Sequence, residues 1–440
     1  MNLSMSAPAD APMSRPAISA AKAWSAVLIC TVAYMFAYVD RQILSLLIEP
    51  VKADLAISDA QFGLLNGLAF ALFYAVMGIP IAALSDSRRR STIIAAGLLV
   101  WSLATMACGL ARSFTQLFLA RICVGAGEAC MSPAAYSLIA DLFPKDRLGR
   151  ALAVYSTGSF LGAGLGFVAS GWIVGAVGAG ARVALPGLEH LKAWQLAFMA
   201  AGAPGVLLAL VVVLFVKEPA RTTTIAPPTF VQVLSFMRGC GAIYPCIFIG
   251  YSFAAMALFS LMGWSPAYLM RTFHLNAHAS GYWLGLAIVV GCTSGVLVSG
   301  GLVDGLRRRG HLASPFTVGV IGAVGVVVCL IGLPWVQSFG LAMTLLSGGF
   351  FFAAFALPPS TTAMQLTAPT TMRARISAMF LFCNSLLGLA LGAYLVGLLN
   401  DRVFHATGQS LTVVVVGAAL LQIVILLAGT PALRRRLSIV

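Results

Sequence analysis

The most regular feature of the sequence is a succession of long apolar runs separated by short polar segments. Each of twelve runs holds about 20 or more mostly apolar residues, which is enough to cross a bilayer as a helix. The runs cover residues 24–48, 61–84, 92–111, 116–143, 148–178, 194–216, 242–270, 279–303, 315–334, 338–367, 375–399 and 410–429. The pattern predicts an all-α membrane protein with twelve transmembrane helices.

Basic residues are unevenly divided between the segments that connect these runs. With the N-terminus in the cytoplasm, 19 of the 27 Lys and Arg residues fall on the cytoplasmic side and six on the other. Cytoplasmic loops of membrane proteins carry such an excess, so both termini are expected inside, in the cell (inner) membrane. The net charge of +14 is then mainly an orientation signal with added contact to membrane lipids, and nucleic acid is not an expected partner.

Composition excludes a water-soluble protein. The 440 residues are 60% apolar and 9% charged, with a mean hydropathy of +0.96, whereas soluble domains carry about a quarter charged residues. The nine cysteines lie almost all inside apolar runs and lack C-x-x-C spacing, so we expect neither disulfides nor a metal site. Residues 1–23 have no apolar core, which indicates a cytoplasmic tail rather than a signal peptide.

The longest polar interruption divides the chain into two groups of six predicted helices. Residues 217–241 contain Pro219, Pro227 and Pro228 and are interpreted as a cytoplasmic linker. The linker separates a first bundle over 24–216 from a second over 242–429, and 430–440 form a cytoplasmic tail.

The two halves also resemble each other in sequence. Segment 158–166 (GSFLGAGLG) aligns with 384–392 (NSLLGLALG), and the same offset places Pro133 on Pro359. An acid followed by an arginine triplet comes after the second helix of each half. Transporters built from such parallel repeats place their site between the halves, near the bilayer midplane.

These features resemble the major facilitator superfamily. The family's loop after the second helix reads G-x-x-x-D-R-x-G-R-[RK], and Ala82, Asp86 and Arg90 occupy its first, acidic and penultimate places. Ser87 and Arg89 depart from the pattern. The second half keeps its glycine, acid and arginine at Gly300, Asp304 and Arg308.

The resemblance implies two pseudo-symmetric six-helix bundles, the major facilitator fold. It also implies a gating role for Asp86, Arg90, Asp304 and Arg308, in which the acid pairs with or caps a neighbouring helix end and closes the cytoplasmic side. Orientation of the chain is the alternative explanation of the arginine triplets, and the two are compatible.

Four ionisable residues lie inside predicted helices: Asp40 and Arg41 in the first, Arg121 and Glu128 in the fourth. A charge at the bilayer centre costs ~2.5–3.5 kcal/mol, so such groups must face protein or water and pair. Arg121 and Glu128 share a helix face but lie ~10 Å apart along the axis, so their partners must come from another helix. From the depths of two antiparallel helices we expect Asp40 near Arg121, and Glu128 within reach of Arg41.

Two explanations fit these charges. They are buried ion pairs that lock the two helices together, or they couple transport to protons, with Asp40 and Glu128 as proton sites. The repeat favours the second, because it puts Ser347 and Ala354 at the positions of Arg121 and Glu128. The two arginines then act as switches, or as ligands for a phosphate or carboxylate headgroup.

A narrower resemblance rests on Tyr38-Val-Asp-Arg41 and Arg121-Ile-Cys-Val-Gly-Ala-Gly-Glu-Ala129, followed by Pro133 and Tyr136. These segments are similar to the spinster-like branch of the superfamily. The resemblance implies export or release of lysophospholipids or sphingolipids, with proton coupling. The second half adds only apolar and mildly polar groups such as Phe382 and Asn384, which suits a lipid tail.

An enzyme and a channel are the competing classes. All five histidines fall in loops, and His274 and His278 have metal-binding spacing but no nearby acid. No Lys follows a Gly, so the chain has no Walker loop for ATP. We therefore expect no enzyme activity, no metal and no cofactor apart from the proton. A channel would not need a repeat with mobile inner loops.

The sequence thus predicts a proton-coupled secondary transporter of an anionic amphiphile, either a lysophospholipid or a sphingoid phosphate. A transporter of small organic anions or drugs is the alternative. We expect a monomer. Five of the predicted substrate-binding residues lie on polar helix faces of the first half, and the sixth lies in the second half. They are Arg41, Arg121, Tyr34, Tyr38 and Ser132, together with Asn384.

Overall fold

The computed structural model describes residues 19–178, 190–219, 229–369 and 371–438. Within these ranges the chain forms twelve helices long and apolar enough to cross a membrane. Those of the first half are α1 (Ala20–Leu46), α2 (Asp59–Gly78), α3 (Arg90–Cys108), α4 (Phe114–Leu142), α5 (Arg147–Val177) and α6 (Ala193–Phe215). Those of the second half are α7 (Ile243–Phe273), α8 (Ala277–Arg308), α9 (Ser314–Trp335), α10 (Phe339–Thr367), α11 (Arg375–Phe404) and α12 (Thr407–Leu437). The predicted fold is confirmed.

The ends of the helices differ from the predicted limits where polar residues continue a helix. Helix α1 begins at Ala20, inside the predicted tail, of which residues 1–18 lie outside the described part. Helix α12 continues past residue 429 to Leu437, so most of the predicted C-terminal tail is helical. A run of arginines in its last turn suits the negative end of the helix dipole, which explains the extension.

Twelve crossings are an even number, so both described ends of the chain lie on one side of the helical bundle. We call this the terminal side and the opposite one the distal side. Helices α1, α3, α5, α7, α9 and α11 run from the terminal to the distal side, and the others return.

Helices α4 and α10 are each interrupted at the same place in the repeat. In α4 one helical segment ends at Glu128 and the next starts at Met131. Pro133 has no amide hydrogen for the carbonyl four residues earlier, which breaks the helix at that point. Pro358 and Pro359 act similarly in α10, where a short 3-10 segment, Ala354–Ala356, interrupts the helix.

The halves meet where α5 crosses α8 and where α2 crosses α11. Glycines allow the backbones to touch: a Cβ on Gly164 would lie 2.7 Å from the Gly285 carbonyl oxygen. On the distal side, a Cβ on Gly397 would lie 2.2 Å from the Asp59 carbonyl oxygen. Neither crossing leaves room for a side chain, so both are close backbone contacts.

Helix α5 packs on α1 within the first half through three small residues at helical spacing. A Cβ on Gly162 would lie 2.7 Å from the Met35 Cα, and Gly158 and Gly166 also contact α1. Close packing therefore accounts for this glycine stripe.

The segment between the halves contains a helix. Residues 220–228 lie outside the described part, and a short helix follows at Phe230–Gly239, which we call the linker helix. Thr229 and Gln232 form a capping box at its start, because each side chain accepts a hydrogen bond from the other's backbone amide.

Candidate functional site

Arg41 and Glu128 form an ion pair between α1 and α4. Arg41 donates to Glu128 Oε2 from Nε at 2.7 Å and from Nη2 at 2.5 Å. The break in α4 places Glu128 at the end of a helical segment, where its side chain is 1% exposed. Its second oxygen, Oε1, is buried and has no hydrogen-bond partner among the described residues. The predicted proximity of Arg41 and Glu128 is therefore found, and half of the carboxylate remains unsatisfied.

Three aromatic rings enclose the guanidinium group of Arg41. Its Cζ atom lies 4.5 Å from the ring centre of Phe70, 5.0 Å from Tyr38 and 5.2 Å from Tyr74. A guanidinium over aromatic faces gains about 0.5–2 kcal/mol per favourable contact. The rings therefore hold Arg41 in place without adding a second charge that would compete with Glu128.

Arg121 and Asp40 are close, but they do not form the contact that their charges suggest. Arg121 Nη1 donates to the backbone carbonyl oxygen of Asp40 at 3.3 Å. Within the described part of the chain, Arg121 pairs with no carboxylate within 4.0 Å, and its Nε is buried without an acceptor. One turn further along α4, Gly125 lets this helix touch α2, because a Cβ there would lie 2.4 Å from the Phe70 carbonyl oxygen.

The Asp40 carboxyl group pairs with neither arginine. Its side chain is 1% exposed, and Oδ1 has no hydrogen-bond partner among the described atoms. The hydroxyl of Thr105, on α3, is likewise buried without a hydrogen-bond partner among the described atoms. Within the described residues, the Asp40 carboxyl group is therefore buried and takes no part in the Arg41–Glu128 pair.

Two cavities lie near this polar centre. The central cavity, about 40 Å³, has room for about three waters. Arg41, Arg121, Tyr38 and Ser45 line it from the first half, and Phe259 from the second.

The terminal-side cavity is ten times larger, about 400 Å³, and lies between α2, α4 and α11. Ser132 and Tyr74 line its inner end, whereas Ser137 and Ser377 lie towards the terminal ends of their helices. Most of its remaining lining is apolar, including Phe382. A cavity with this lining suits an apolar chain with a polar group at one end.

The other predicted binding residues are distributed around these cavities. Tyr34 stacks on Tyr155, with ring centres 5.1 Å apart, and meets Tyr38 edge-on at 5.7 Å. Asn384 lines a separate cavity of about 50 Å³ inside the second half, and its Oδ1 is buried without a partner among the described atoms. Phe259 lines both that cavity and the central one. Asn384 thus approaches the predicted site without facing the same space as Arg41.

Sequence reasoning missed the aromatic rings of α2. Phe70 and Tyr74 are four residues apart and share one face of the helix, a spacing visible in the sequence. The predicted site was built from charged and polar stripes, and these rings lie in an otherwise apolar run. Asn66, which lines the central cavity from a π-helical turn (Leu64–Leu68) of α2, was missed for the same reason.

A second charged cluster joins the halves on the distal side. Arg271, at the end of α7, donates to both oxygens of Asp59, at 2.6 and 2.9 Å, and to Glu49 at 2.7 Å. The Asp401 carboxylate of α11 accepts from the backbone amides of Asp59 and Ala60 at 3.0 and 2.7 Å. An acid of the second half therefore caps the first turn of a helix in the first half.

The predicted gating residues differ between the halves. Arg90 is buried and donates to Glu218 at 2.7 Å and to Asp141 at 2.5 Å, so it ties together three helix ends of the first half. Asp304 and Arg308 are exposed and form no ion pair with any described residue. The side chain of Asp86 lies outside the described residues. Among the described residues, the ion pairs on this side are thus confined to the first half.

The Glu218 carboxylate is held in its ionised form. Burial acts to raise its pKa, but hydrogen bonds from the Ser91 amide and from Arg90 outweigh burial and lower the pKa below its usual value of 4.5. The contact between α3 and the segment after α6 therefore carries a full charge at neutral pH.

Comparison with known proteins gives the family context of this geometry. The family model described as Major Facilitator Superfamily matches residues 30–393. An MFS-type efflux pump of Mycolicibacterium smegmatis is 32% identical over 92% of this chain and 89% of its own length. Protein spinster homolog 1 of Homo sapiens is 26% identical, covering 86% of this chain and 73% of that protein.

Solved structures share the fold. A bacterial homolog to the human lysosomal transporter Spinster, in an inward-facing and unoccupied conformation, superposes with a TM-score of 0.81 at 24% identity. The match covers 96% of this chain and 98% of the other. The arrangement of all twelve helices is therefore common to the two proteins.

Proposed function

Because the chain belongs to the Major Facilitator Superfamily, whose members are membrane transporters and not enzymes, we propose that it moves an anionic amphiphile by proton-coupled alternating access. The proposed substrate class is a lysophospholipid or a sphingoid phosphate. One observation carries the proposal: Arg41, which pairs with the buried Glu128, lines the central cavity and contacts Tyr74, which lines the terminal-side cavity.

The proton step follows from the burial of Glu128. Its carboxylate depends on Arg41 for both of its hydrogen bonds, and Oε1 has no other donor in the described structure. An unpaired carboxylate in the membrane interior costs several kcal/mol, so Glu128 takes up a proton when Arg41 moves away. Asp40, which is buried and has no partner for Oδ1 among the described atoms, is the second proposed proton site.

The proposed substrate binding follows from arginine hydrogen-bond donors that have no carboxylate partner. Arg121 has no carboxylate partner among the described residues, and Arg41 becomes free once Glu128 is protonated. Two planar guanidinium groups bordering one small cavity suit a phosphate or carboxylate head. An apolar tail would extend into the terminal-side cavity, past Phe382.

The closed distal cluster supports alternating access. Arg271 and Asp59 join the halves on the distal side, whereas the large cavity lies towards the terminal side. Because the terminal side carries most of the basic residues, we propose that it faces the cytoplasm, with the protein in the cell (inner) membrane and both termini inside. The conformation is then inward-facing.

Transport of small organic anions or drugs remains the second candidate, since the relative at 32% identity is an efflux pump. The central cavity alone, at about 40 Å³, is too small for a drug-sized molecule. Such a substrate would therefore have to occupy the terminal-side cavity without contacting both arginines.

Flux in reconstituted vesicles tests the proposal. Radiolabelled lysophosphatidylglycerol and sphingosine phosphate are supplied with and without a pH gradient, to wild type, Asp40→Asn and Glu128→Gln. We expect the gradient to accelerate wild-type flux and to have no effect on Glu128→Gln.

Exchange of labelled for unlabelled substrate serves as the control, because exchange needs no net proton movement. Glu128→Gln should retain exchange if it folds and binds. Gradient-driven flux at the wild-type rate in both variants would refute the proton sites. Flux of small organic anions alone would refute the substrate class.

A further inference from the structure

The linker helix has three distinct faces. Val233 and Met237 are buried against Ile376 of α11 and Leu433 of α12. The next face around the helix exposes large apolar side chains, including Val231 at 77%. The remaining face is polar and exposed, with Gln232 and Gly239, and Ser235 lies at its border with the apolar face. This order of faces is typical of a helix that lies in the plane of a membrane interface: one face packs on the bundle, the next is apolar and exposed, and the last is polar.

Arginines with no acidic partner among the described residues lie near this helix. The three segments that meet here, residues 229–242, 365–380 and 429–438, contain no Asp or Glu. Their arginines are Arg238, Arg373, Arg375, Arg434, Arg435 and Arg436. A concentration of one charge sign beside an apolar face requires anions from outside the chain.

The contacts of individual arginines show that the cluster is organised around the helix. The guanidinium of Arg375 lies 5.1 Å from the ring centre of Phe230, at the start of the linker helix. Arg436, in the last turn of α12, has a buried Nε without an acceptor in the described structure. Arg238, Arg434 and Arg435 are exposed.

We propose that the linker helix and these arginines form a binding site for the headgroup of an anionic phospholipid in the adjoining leaflet. Val231, Leu234 and Phe230 insert among the acyl chains, and the arginines bind the phosphate. The lipid supplies both an apolar surface and a negative charge, which neither free phosphate nor an acidic peptide combines. The site is separate from the substrate cavities, so it does not depend on the proposed substrate.

The position of the site connects it to the transport path. The linker helix contacts the first turns of α11, whose Ser377 and Leu381 line the terminal-side cavity. A lipid bound here therefore contacts the same helix that borders the large cavity.

Native mass spectrometry tests the charge requirement. The full chain is released from mixed micelles with equal amounts of phosphatidylglycerol and phosphatidylcholine, and the retained lipid is counted. We expect wild type to prefer phosphatidylglycerol. Each surface arginine changes affinity about fivefold, so Arg238→Gln/Arg434→Gln/Arg435→Gln should lower the preference at least tenfold.

A control with the same loss of charge uses three other exposed arginines of the terminal side, Arg89→Gln/Arg307→Gln/Arg309→Gln. This variant should keep the wild-type preference. Equal losses in the two variants would overturn the proposal, because the effect would then be one of net charge. Displacement of the lipid by inorganic phosphate would overturn it in favour of a free-phosphate site.

The apolar face is tested independently with spin labels at Leu234→Cys and Gly239→Cys, which lie about 140° apart around the helix, after subtraction of the signal from the unsubstituted chain. We expect the Leu234→Cys label to collide with oxygen, which concentrates in lipid, and the Gly239→Cys label with a water-soluble nickel chelate. If both labels collide mainly with the chelate, the helix lies in water and the proposal is wrong.

Discussion

Arg271 and Asp59 join the two halves of the molecule through a two-point contact on the distal side, with N–O distances of 2.6 and 2.9 Å. The Asp59 side chain is 2% exposed and also accepts hydrogen bonds from Lys52 and Asn400. Asp401 binds the backbone at the same place. One buried carboxylate therefore receives donors from both halves, and the distal closure depends on it.

Replacing this carboxylate should open the distal side. Asp59→Asn removes the buried anion that Arg271 and Lys52 share, so we expect the closed state to lose about 2–3 kcal/mol, a shift of about 30- to 150-fold. Ser45→Cys, which places a thiol in the central cavity, reports the change through its rate of reaction with a membrane-impermeant reagent. Reaction should be faster in the Asp59→Asn background.

Glu49→Gln provides the matched control for Asp59→Asn. Glu49 also contacts Arg271, but its side chain is 48% exposed, and exposed pairs contribute at most about 1 kcal/mol. Its effect on labelling should therefore be small. Equal labelling rates in Asp59→Asn and wild type would contradict the assigned role of Asp59.

The close backbone contact at Gly397 on the distal side predicts that an added methyl group there destabilises the distal-closed state. The added Cβ would lie 2.2 Å from the Asp59 carbonyl oxygen and 2.5 Å from its carbonyl carbon. Backbone must shift to accept it, at a cost of about 1–3 kcal/mol to the distal-closed state. Gly397→Ala should accelerate the same Ser45→Cys labelling. Gly417→Ala is the control, because its Cβ would meet nothing within 4 Å. Equal rates of Ser45→Cys labelling in Gly397→Ala and Gly417→Ala would contradict the prediction.

The sequence predicts those features that depend on the periodicity of apolar residues and on the depth of a residue in the membrane. Twelve apolar runs predicted the twelve helices, and the depth of Arg41 and Glu128 in antiparallel helices predicted that they meet. It did not recover the direction of a side chain. Asp40 and Arg41 are adjacent in sequence, so they point about 100° apart around the helix, and only one can face α4.

The charged cluster on the distal side could not be predicted from the sequence for another reason. Asp59 and Arg271 lie just outside the predicted apolar runs, in loop segments where charges are ordinarily solvated. Their pairing depends on how the two halves are placed against each other, and no local pattern encodes that placement. The same holds for Asn384, whose cavity in the second half is separated from the central one by packing around Phe259.

A conservative replacement of Arg41 should be costly. Lys keeps the charge but cannot donate from two nitrogens in one plane to Glu128, and it stacks less well on Phe70. We expect Arg41→Lys to lower gradient-driven flux of lysophosphatidylglycerol at least tenfold, equivalent to about 1.4 kcal/mol. The comparison is Arg112→Lys, an exposed arginine outside the membrane spans, which should transport normally. Normal flux in Arg41→Lys would show that charge alone is sufficient at this position.

The contact of Glu218 with Arg90 predicts a pH dependence of stability in the first half. The pKa of Glu218 is lowered below 4.5 in the folded protein, because hydrogen bonds from Ser91 and Arg90 outweigh burial. A group with a depressed folded-state pKa contributes its stability above the unfolded value and loses it as the pH falls through the folded value. Stabilisation by Glu218 is therefore complete at neutral pH and disappears below pH 4.5.

Glu218→Gln should accordingly lower the melting temperature in detergent at neutral pH. The expected loss is about 1 kcal/mol, because solvent reaches part of the pair and screens it. The difference from wild type should shrink as the pH is lowered below 4.5, since wild-type Glu218 then becomes neutral as well. Lys217→Gln, which changes an adjacent exposed charge, controls for the effect of net charge. A difference between Glu218→Gln and wild type that stays constant from neutral to acid pH would mean that the carboxylate charge does not stabilise this contact.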